Sequence, residues 1–570
     1  MDDSRLIIAV DFGTTYSGIA YCFANQRNSC PIPIDNWPGA TGIDVPKTPT
    51  VICYDKQNPR NFVWGGSVEP QADSISDFKL LLDPSQKWPE YIPIINITKK
   101  LEELPKSPTE ITADFIGAIY NHAIEEISKK FPRDYVQLCR KEYIFSVPAV
   151  WSDAAKYATL KAAQMAGLTP VQLIKEPEAA ALWITKKLNV ALNSGDIFVV
   201  CDAGGGTVDL VSYEVENTSP QLQVKEVVPG TGGMAGSLNL NKRFECAVKE
   251  LVGEKQWSAL HPSKGFQRAA SQFEKEIKKG FHGGSDDDCF DDEFYVNFYP
   301  AKLADNPNCG LESNTWTMVE DDLMDIFNPV IGDILKLINE QVERVKVKMG
   351  GEGPKYIFLV GGFGSNRYLM KRIMNKYSNI EVLQPPDAWA AIAKGAALSR
   401  MSSEATVTSL SATRHYGIAV SSMYDEIEDQ GRPFREAITG RIVTTKMLWY
   451  IHTGDNLLKS ARIPFPVLRH FTQHEYETKD FWLFIPLFES QEETAPRYPS
   501  ENEAFRVNCE LMCSLSKMPK HLFKKHINKH KQTYYLVALN LIMTLEGALM
   551  TFSLEIDGVL YDCVEAKYSA

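Results

Sequence analysis

Paired cysteines are missing from this chain of 570 residues. Its 11 cysteines are scattered, with no C-x-x-C pair and no quartet at zinc-ligand spacing, and the nearest two, Cys509 and Cys513, stand four apart. A disulfide scaffold and a structural zinc site are thereby excluded as the organising principle, and reduced, packed thiols in a cytosolic protein are expected. Long unbroken apolar runs are missing too. The most apolar segment, Leu536 to Leu554, is interrupted by Asn540, Glu546 and Gly547, and a charge near the centre of a membrane span is costly. YYLVALNLIMTL and ALMTFSLEI are therefore predicted as two strands around a Glu-Gly turn, with no membrane span. No secretory signal is visible: the apolar run of MDDSRLIIAVD is cut short by Asp11 and reads as a strand, so the sequons at Asn96 and Asn217 are expected to go unused. Positive charge is not in excess either. The net charge of -12 argues against general affinity for nucleic acid. The expected compartment is the cytoplasm, with the nucleus as the alternative.

What is present is an ordinary globular composition, 44% hydrophobic and 23% charged, in a chain long enough for about three to four domains. The stretch IFVVCDAGGGTVDLVSYEV, Ile197 to Val215, organises the rest. An apolar strand delivers Asp202 to its carboxyl end. Gly204, Gly205 and Gly206 then let the backbone approach a ligand closely and point amide N–H groups at an anion. Thr207 adds a hydroxyl and Asp209 a second carboxylate. Alone, such a hairpin is more often a tight turn than a ligand site. A partner near the amino terminus repeats the design: LIIAVDFGTTYSGIAYCF, Leu6 to Phe23, brings an apolar strand to Asp11, then Gly13, Thr14, Thr15 and a second strand. Two Asp-x-Gly hairpins suggest a duplicated fold closing on one ligand from both sides. One polyphosphate with a metal ion would satisfy both.

Along the chain, a short strand is predicted at Thr50 to Tyr54. Lys79 in SISDFKLLLDPS reads from composition as a solvated charge. Thr109 to Lys130 reads as an amphipathic helix with Thr109 as its cap. Tyr143 to Val147 is a strand, followed by a helix from Ser152 to a stop at Gly167. Glu176, just before Pro177, falls at a strand-to-helix junction, where it serves equally as a helix-start charge or a catalytic group. Gly236 and Ser237 feed a helix beginning near Asn239. Further helices are expected over Phe266 to Phe281, with Glu274, Lys275 and Lys278, and over Asp321 to Met349. The run Asp286 to Glu293 lacks calcium-loop spacing and reads as a solvated loop. GGEGPK lacks the Gly-Lys-Ser/Thr ending of a P-loop and reads as a connector. The strand of YIFLVGGFGSN leads to Gly361 and Gly362, and a helix is predicted through Asp387. Met401 to Thr413 turns to Ser, Thr and Ala and marks a linker. The remainder reads mostly as strands, apart from the basic stretch KMPKHLFKKHINKHKQ. There His526 and His530 lack a third ligand, and an exposed loop is expected.

Six motifs in order, DFGTTYSG, VPAVWSDAAKYAT, KEPEAAAL, DAGGGTVD, LVGGFGSN and PPDAWAAIAKGAAL, resemble the ATPase domain of the 70-kilodalton heat-shock chaperones, over about residues 5 to 400. The variant motifs look closest to the divergent heat shock 70 kDa protein 12 branch. The resemblance implies an α/β, actin-like ATPase fold, two duplicated ribonuclease-H-like lobes around a nucleotide cleft, followed by a mostly β C-terminal domain. The expected division is a nucleotide-binding domain over 1–400 (lobe I about 1–194, lobe II about 195–400), a linker over 401–413 and a β-rich domain over 414–570. By resemblance Asp11 and Asp202 hold magnesium through its waters. Gly13, Thr14 and Thr15 form the first phosphate turn, and Gly204, Gly205, Gly206 and Thr207 the second. Lys79 positions the attacking water and the γ-phosphate, and Glu176 and Asp209 complete the carboxylate ring, with Thr207 beside them. Gly236 is phosphate-proximal, and Lys278, Gly361, Gly362 and Asp387 fall near the adenosine.

Departures accompany the match. Phe363 replaces a small serine near the adenine, Ile277 stands where the family tends to have a lysine, and ALSRMSSEATVTSLSATRHYG replaces the acidic, leucine-rich interdomain linker. No extended helical lid is visible. The resulting expectation is an ATP-binding, slowly hydrolysing chaperone-like protein using ATP/ADP and Mg2+. Its C-terminal domain would bind unfolded polypeptide or a dedicated protein partner. A nucleotide-regulated interaction module with little hydrolysis is the alternative, and a small-molecule kinase of the same superfamily a further one.

Overall fold

A computed structural model describes residues 5–568 except 25–29, 41–43, 70–71, 84–97, 100, 103, 188–189, 220, 284–292, 402–404, 460, 479–480, 517 and 562–563. The sequon at Asn96 and all but the last residue of the acidic run lie outside the described residues. The chain divides into two compact units, Met1–Trp151 with Ala158–Val407, and Ser152–Tyr157 with Thr408–Ala570.

The first unit contains one sheet motif twice. In its amino-terminal half, Arg5–Asp11 pairs antiparallel with Tyr16–Phe23 and parallel with Arg140–Val147, which pairs parallel with Val171–Lys175. Ile32–Pro33 adds antiparallel to the far side of Tyr16–Phe23. In the other half, Ile197–Ala203 pairs antiparallel with Val208–Asn217 and parallel with Tyr356–Val360, which pairs parallel with Glu381–Leu383. Gln223–Gly233 adds antiparallel beyond Val208–Asn217. The central strands are buried along nearly their whole length, as near-continuous apolar runs such as IFVVC require when both faces of a sheet are covered. Each central strand brings an aspartate to its carboxyl end, so the duplication carries Asp11 and Asp202 to equivalent sheet ends. The α/β actin-like ATPase fold implied by the motifs is the fold of this unit.

Helices complete the layers. Pro108–Lys130 begins one residue earlier than the periodicity indicates. Its cap is Ser107, not Thr109: Ser107 and Glu110 form a reciprocal capping box around Pro108 at the first helical position. Glu176–Lys187 crosses Ala391–Leu398 so closely that a Cβ on Gly395 would overlap the Ala179 carbonyl. The helix predicted through Asp387 thus begins only at Ala391, with Asp387 in the preceding turn. The second half packs Leu238–Leu260 and Glu320–Lys348 over its sheet. Phe244 and Phe273 stack there at 4.3 Å inside a core that includes Phe327 and Ile334.

The second unit is β-rich. One antiparallel sheet runs Phe434–Arg435, Ile442–Ile451, His415–Met423, Trp482–Ser490, Phe505–Ser514, Val564–Tyr568. The other is built on Arg462–Thr472, Thr533–Glu546, Leu549–Ile556 and Val559–Tyr561. Strict alternation explains the pairing of sheets. Leu483, Ile485 and Leu487 of one and Leu539, Leu541 and Leu554 of the other share one core. The two strands predicted around Glu546-Gly547 are Thr533–Glu546 and Leu549–Ile556. Two expectations change. The stretch read as a linker carries the strand Thr406–Ser411, and the basic segment read as a loop contains the strand Lys524–Ile527, which puts His526 opposite Tyr534. Among the described residues no helix is long and apolar enough to cross a membrane, and no group of three or more metal-ligating side chains of the His/Cys/Asp/Glu type is assembled as a ready cage.

Candidate functional site

A cleft of about 240 Å³ lies in the first unit. Gly13, Thr14 and Thr15 line one wall and Gly204, Gly205, Gly206 and Thr207 the other. Asp11, Lys79, Glu176 and Asp202 are also in the lining, with Lys278, Gly361 and Gly362 at a further part of the wall. The two hairpin turns face one another at close range. A Cβ on Gly205 would overlap the Thr15 hydroxyl, and one on Gly206 would come within 2.9 Å of the Thr14 hydroxyl. Side-chain-free residues are therefore required where the turns meet.

The start of the helix Leu238–Leu260 fixes the orientation of the second turn. The N–H groups of Gly236, Ser237 and Leu238 donate to the carbonyls of Gly206, Gly204 and Gly205 at 3.2, 3.1 and 2.8 Å. With those carbonyls drawn to the helix, the N–H edges of the same peptides turn the other way, as an anion cradle requires. Gly236 thus lies outside the lining and acts from behind the turn.

Carboxylates crowd the floor. Ser146 Oγ donates to Asp11 Oδ1 at 3.0 Å, and Lys79 Nζ donates to Glu176 Oε1 at 2.9 Å. The Lys79 ammonium also lies 5.1 Å from the Trp151 ring centroid. The lysine that composition would place in solvent is 3% exposed. Burial pushes the Glu176 carboxyl up to about 7. The Lys79 ammonium opposes that rise, and the charges of Asp11 and Asp209 add to it. Burial likewise holds Asp202 well above the usual carboxylate range, reinforced by Glu176, Asp209 and Asp11. Asp209 is raised by burial, although the Thr207 hydroxyl and the backbone N–H groups of Val150 and Ala149 pull the other way. Its Oδ1 accepts from Ala149 N at 2.9 Å and Val150 N at 3.3 Å, so Asp209 sits just behind the lining and ties the second hairpin to the end of the strand Arg140–Val147.

Besides Asp11 Oδ2, which faces an ammonium, two buried carboxylate oxygens at the site, Asp202 Oδ1 and Asp209 Oδ2, have no hydrogen-bond partner. Uncompensated buried oxygens of this kind are costly and suit a hard cation that arrives with its own waters. Magnesium fits this donor set.

At the other end, Lys278 Nζ bonds Glu274 Oε2 at 2.6 Å and Asn241 Oδ1 at 3.1 Å. A π-helical turn, Phe273–Ile277, resets the register between two α segments and leaves Glu274 and Lys278 in the lining. Ile277 faces the core. Gly361, at φ 88°, is pressed so near Asp202 that a side chain there would strike the carboxylate. Phe363 is 3% exposed, lies at the edge of the cleft and belongs to the hydrophobic core. Asp387 is not in the lining: its carboxylate accepts from Trp183 Nε1 at 2.8 Å and from Lys394 Nζ at 2.6 Å, fixing one helix end to another.

Of the lining residues that sequence reasoning missed, three bear on the chemistry. Tyr16 and Trp389 form an edge-to-face pair with centroids 5.5 Å apart, and burial raises the Tyr16 hydroxyl to about 12 with help from the Glu274 charge. Their aromatic character was legible, but not their meeting across so long a stretch of chain. The third is Lys47, whose ammonium lies 2.6 Å from Asp11 Oδ2, without the alignment of a good hydrogen bond. No local signal marks it.

Comparison with known proteins agrees with this geometry. Residues 86–229 match a family model described as Hsp70 protein, and residues 193–384 match a domain of unknown function, DUF8340. Human heat shock 70 kDa protein 12B is 22% identical over 69% of this chain and 68% of its own length. The mouse heat shock 70 kDa protein 12A is 23% identical over 74% and 73%. The chain is similar to the 70-kilodalton heat-shock proteins. A ribosome-associated molecular chaperone of Saccharomyces cerevisiae is 25% identical over 64% of this chain and 58% of its own. The 70-kilodalton heat-shock resemblance thus extends past either matched segment.

Proposed function

We propose that this chain, similar to the 70-kilodalton heat-shock proteins, binds ATP in the cleft and hydrolyses it slowly to ADP and phosphate, and that its β-rich unit engages polypeptide. One observation carries the first half. Two glycine turns from duplicated hairpins meet face to face above buried carboxylates and two ammonium groups. Phosphoryl transfer to water depends on positioning and charge neutralisation more than on covalent help. The backbone N–H groups of Gly205, Gly206 and Thr207, with the Thr14, Thr15 and Thr207 hydroxyls, are suited to orient a triphosphate. Lys79 is suited to neutralise charge on the terminal phosphate, and Glu176, held by Lys79, to accept a hydrogen bond from the attacking water. Asp202, whose Oδ1 has no partner, would hold magnesium, which supplies further neutralisation of the phosphate oxygens when bound, and Asp11 is the second carboxylate lining the same cleft.

Polypeptide engagement rests on the outer face of Trp482–Ser490. Trp482 and Phe484 are 39% and 40% exposed with centroids 6.5 Å apart. Large exposed apolar side chains on one strand face suit an extended apolar segment.

The test uses the full chain. An excess of ATP about a thousand times its Kd should stabilise the fold by about 4 kcal/mol, read as a magnesium-dependent rise in Tm. Single-turnover phosphate release should fall by about a hundredfold in Lys79→Ala, the low end of what removal of one electrostatic donor costs. Equal release in both proteins would leave a passive nucleotide binder. In a second arm, loss of denatured-polypeptide capture on Trp482→Ser/Phe484→Ser supports that half, and unchanged capture removes it.

A further inference from the structure

Lys47 is a buried cation that neither the duplicated turns nor Lys79 accounts for. It is 6% exposed, and Lys79 already serves Glu176. Its position is built rather than incidental. Thr48–Pro49 pairs antiparallel with Tyr16–Ser17. Thr50 then knits the segment to the first turn: its N–H donates to Thr15 O at 2.8 Å, and its hydroxyl donates to Gly13 O at 2.9 Å and meets Ser17 Oγ at 2.8 Å. The stem of Lys47 crosses Gly18, the register partner of Asp11, where a Cβ would lie 2.9 Å from Lys47 Cγ and 2.6 Å from Pro46 O. Gly18 therefore clears the path that brings the ammonium to Asp11.

The consequence is an asymmetry between two otherwise matched aspartates. Asp11 Oδ1 is held by Ser146, and Oδ2 faces an ammonium at 2.6 Å. Asp202, 4% exposed, keeps Oδ1 without a partner. A fixed positive charge at Asp11 repels a dication from that carboxylate and occupies the room a bridging water would need.

We propose that Lys47 is a resident counter-ion that competes with a divalent cation for Asp11, leaving the metal to be held from the Asp202 side, and that it supplies part of the positive charge a polyphosphate meets in the cleft. This rests on the ATP reading for its second clause only. The first clause concerns the protein and a metal alone.

The decisive measurement is Mn2+ binding to the nucleotide-free full chain by calorimetry, in wild type, Lys47→Ala, Lys47→Gln and Lys47→Arg. Removing the ammonium should tighten Mn2+ binding by at least about tenfold, a difference of about 1.4 kcal/mol, in both neutral variants. Lys47→Arg should stay near wild type. Equal Mn2+ affinity in wild type and the neutral variants overturns the proposal. If Lys47→Ala fails to fold, Lys47→Gln, which keeps most of the stem and a neutral polar end, gives the same reading. With ATP added, wild type should lose less affinity on chelation of magnesium than Lys47→Gln does, and an equal loss overturns the second clause. Absence of ATP binding in every protein would remove the ATP reading while leaving the Mn2+ comparison decisive for the first clause.

Discussion

The first and second hairpin turns share strand order, pairing sense and an aspartate at the end of the central strand, yet they are wired differently. Asp11 is compensated by a hydroxyl and an ammonium from its own half. Asp202 faces Glu176, Asp209 and Asp11 and keeps one oxygen unpaired. Duplication thus preserves backbone geometry, because sheet topology and glycine placement are needed to form the cleft at all. Charge placement diverges, because it is set by single side chains that arrive from elsewhere.

Removing each aspartate's charge should separate the two most sharply. Asp11→Asn leaves the Lys47 ammonium buried without its counter-charge and should cost about 3–5 kcal/mol, the range seen when one partner of a buried pair is lost. Asp202→Asn removes a charge that burial and three neighbours disfavour, so the nucleotide-free protein should be at least as stable as wild type. Thermal melting of the full chains checks both. Equal losses would show that the two turns are electrostatically equivalent and break the comparison.

The glycines probe geometry rather than charge. A Cβ on Gly13 would overlap the Tyr16 carbonyl within its own turn, whereas one on Gly205 would meet the short, branched Thr15 side chain of the opposite turn. Gly13→Ala should lower stability by roughly 1–3 kcal/mol, the usual cost of overpacking. Gly205→Ala should chiefly lower nucleotide affinity, because the strain is relieved by parting the turns. Calorimetric titration beside melting curves separates the two, and identical profiles would mean that the turns respond as one block.

How much of this was legible follows from range. The hairpins could be read because strand, aspartate and glycine are consecutive, and their burial follows from unbroken apolar runs. Glu176 was placed at its strand-to-helix junction by the adjacent Pro177. Ser107 was legible in principle from Ser-Pro-Thr-Glu, but the apolar period starts later in the segment and drew the cap to Thr109. Lys47 was invisible, since its role depends on pairing with Tyr16–Ser17 and on the open space above Gly18, neither of which is a local pattern. Asp387 was placed by resemblance at the adenosine, while Trp183, 204 positions away in sequence, and Lys394 draw its carboxylate aside. In the β-rich unit, alternation gave strands reliably, whereas which strands share a sheet is a long-range property.

A carboxylate outside the cleft sharpens the contrast from the opposite side. Asp429 in the β-rich unit is also sequestered, at 1% exposed. Burial alone would raise its carboxyl, but the N–H of Asp425, the Lys446 ammonium at 2.9 Å and the Tyr498 hydroxyl at 2.7 Å outweigh that and bring it down to about 2. A carboxyl depressed in the fold stabilises it above its unfolded value, near 3.8, and that contribution is lost as pH falls from about 4 toward 2. Raised groups such as Glu176 act in the reverse sense, contributing most below about 4.5 and losing that contribution as pH rises through 7. Asp429→Asn should therefore lower Tm at about pH 5 to 7 and converge with wild type near pH 2, provided the fold persists there or the trend is followed down to the lowest pH at which it does. Glu176→Gln should diverge from wild type in the other direction, gaining relative stability above about pH 7. If both variants instead moved together with pH, the partners around each carboxylate, rather than its burial, would have to be reassigned.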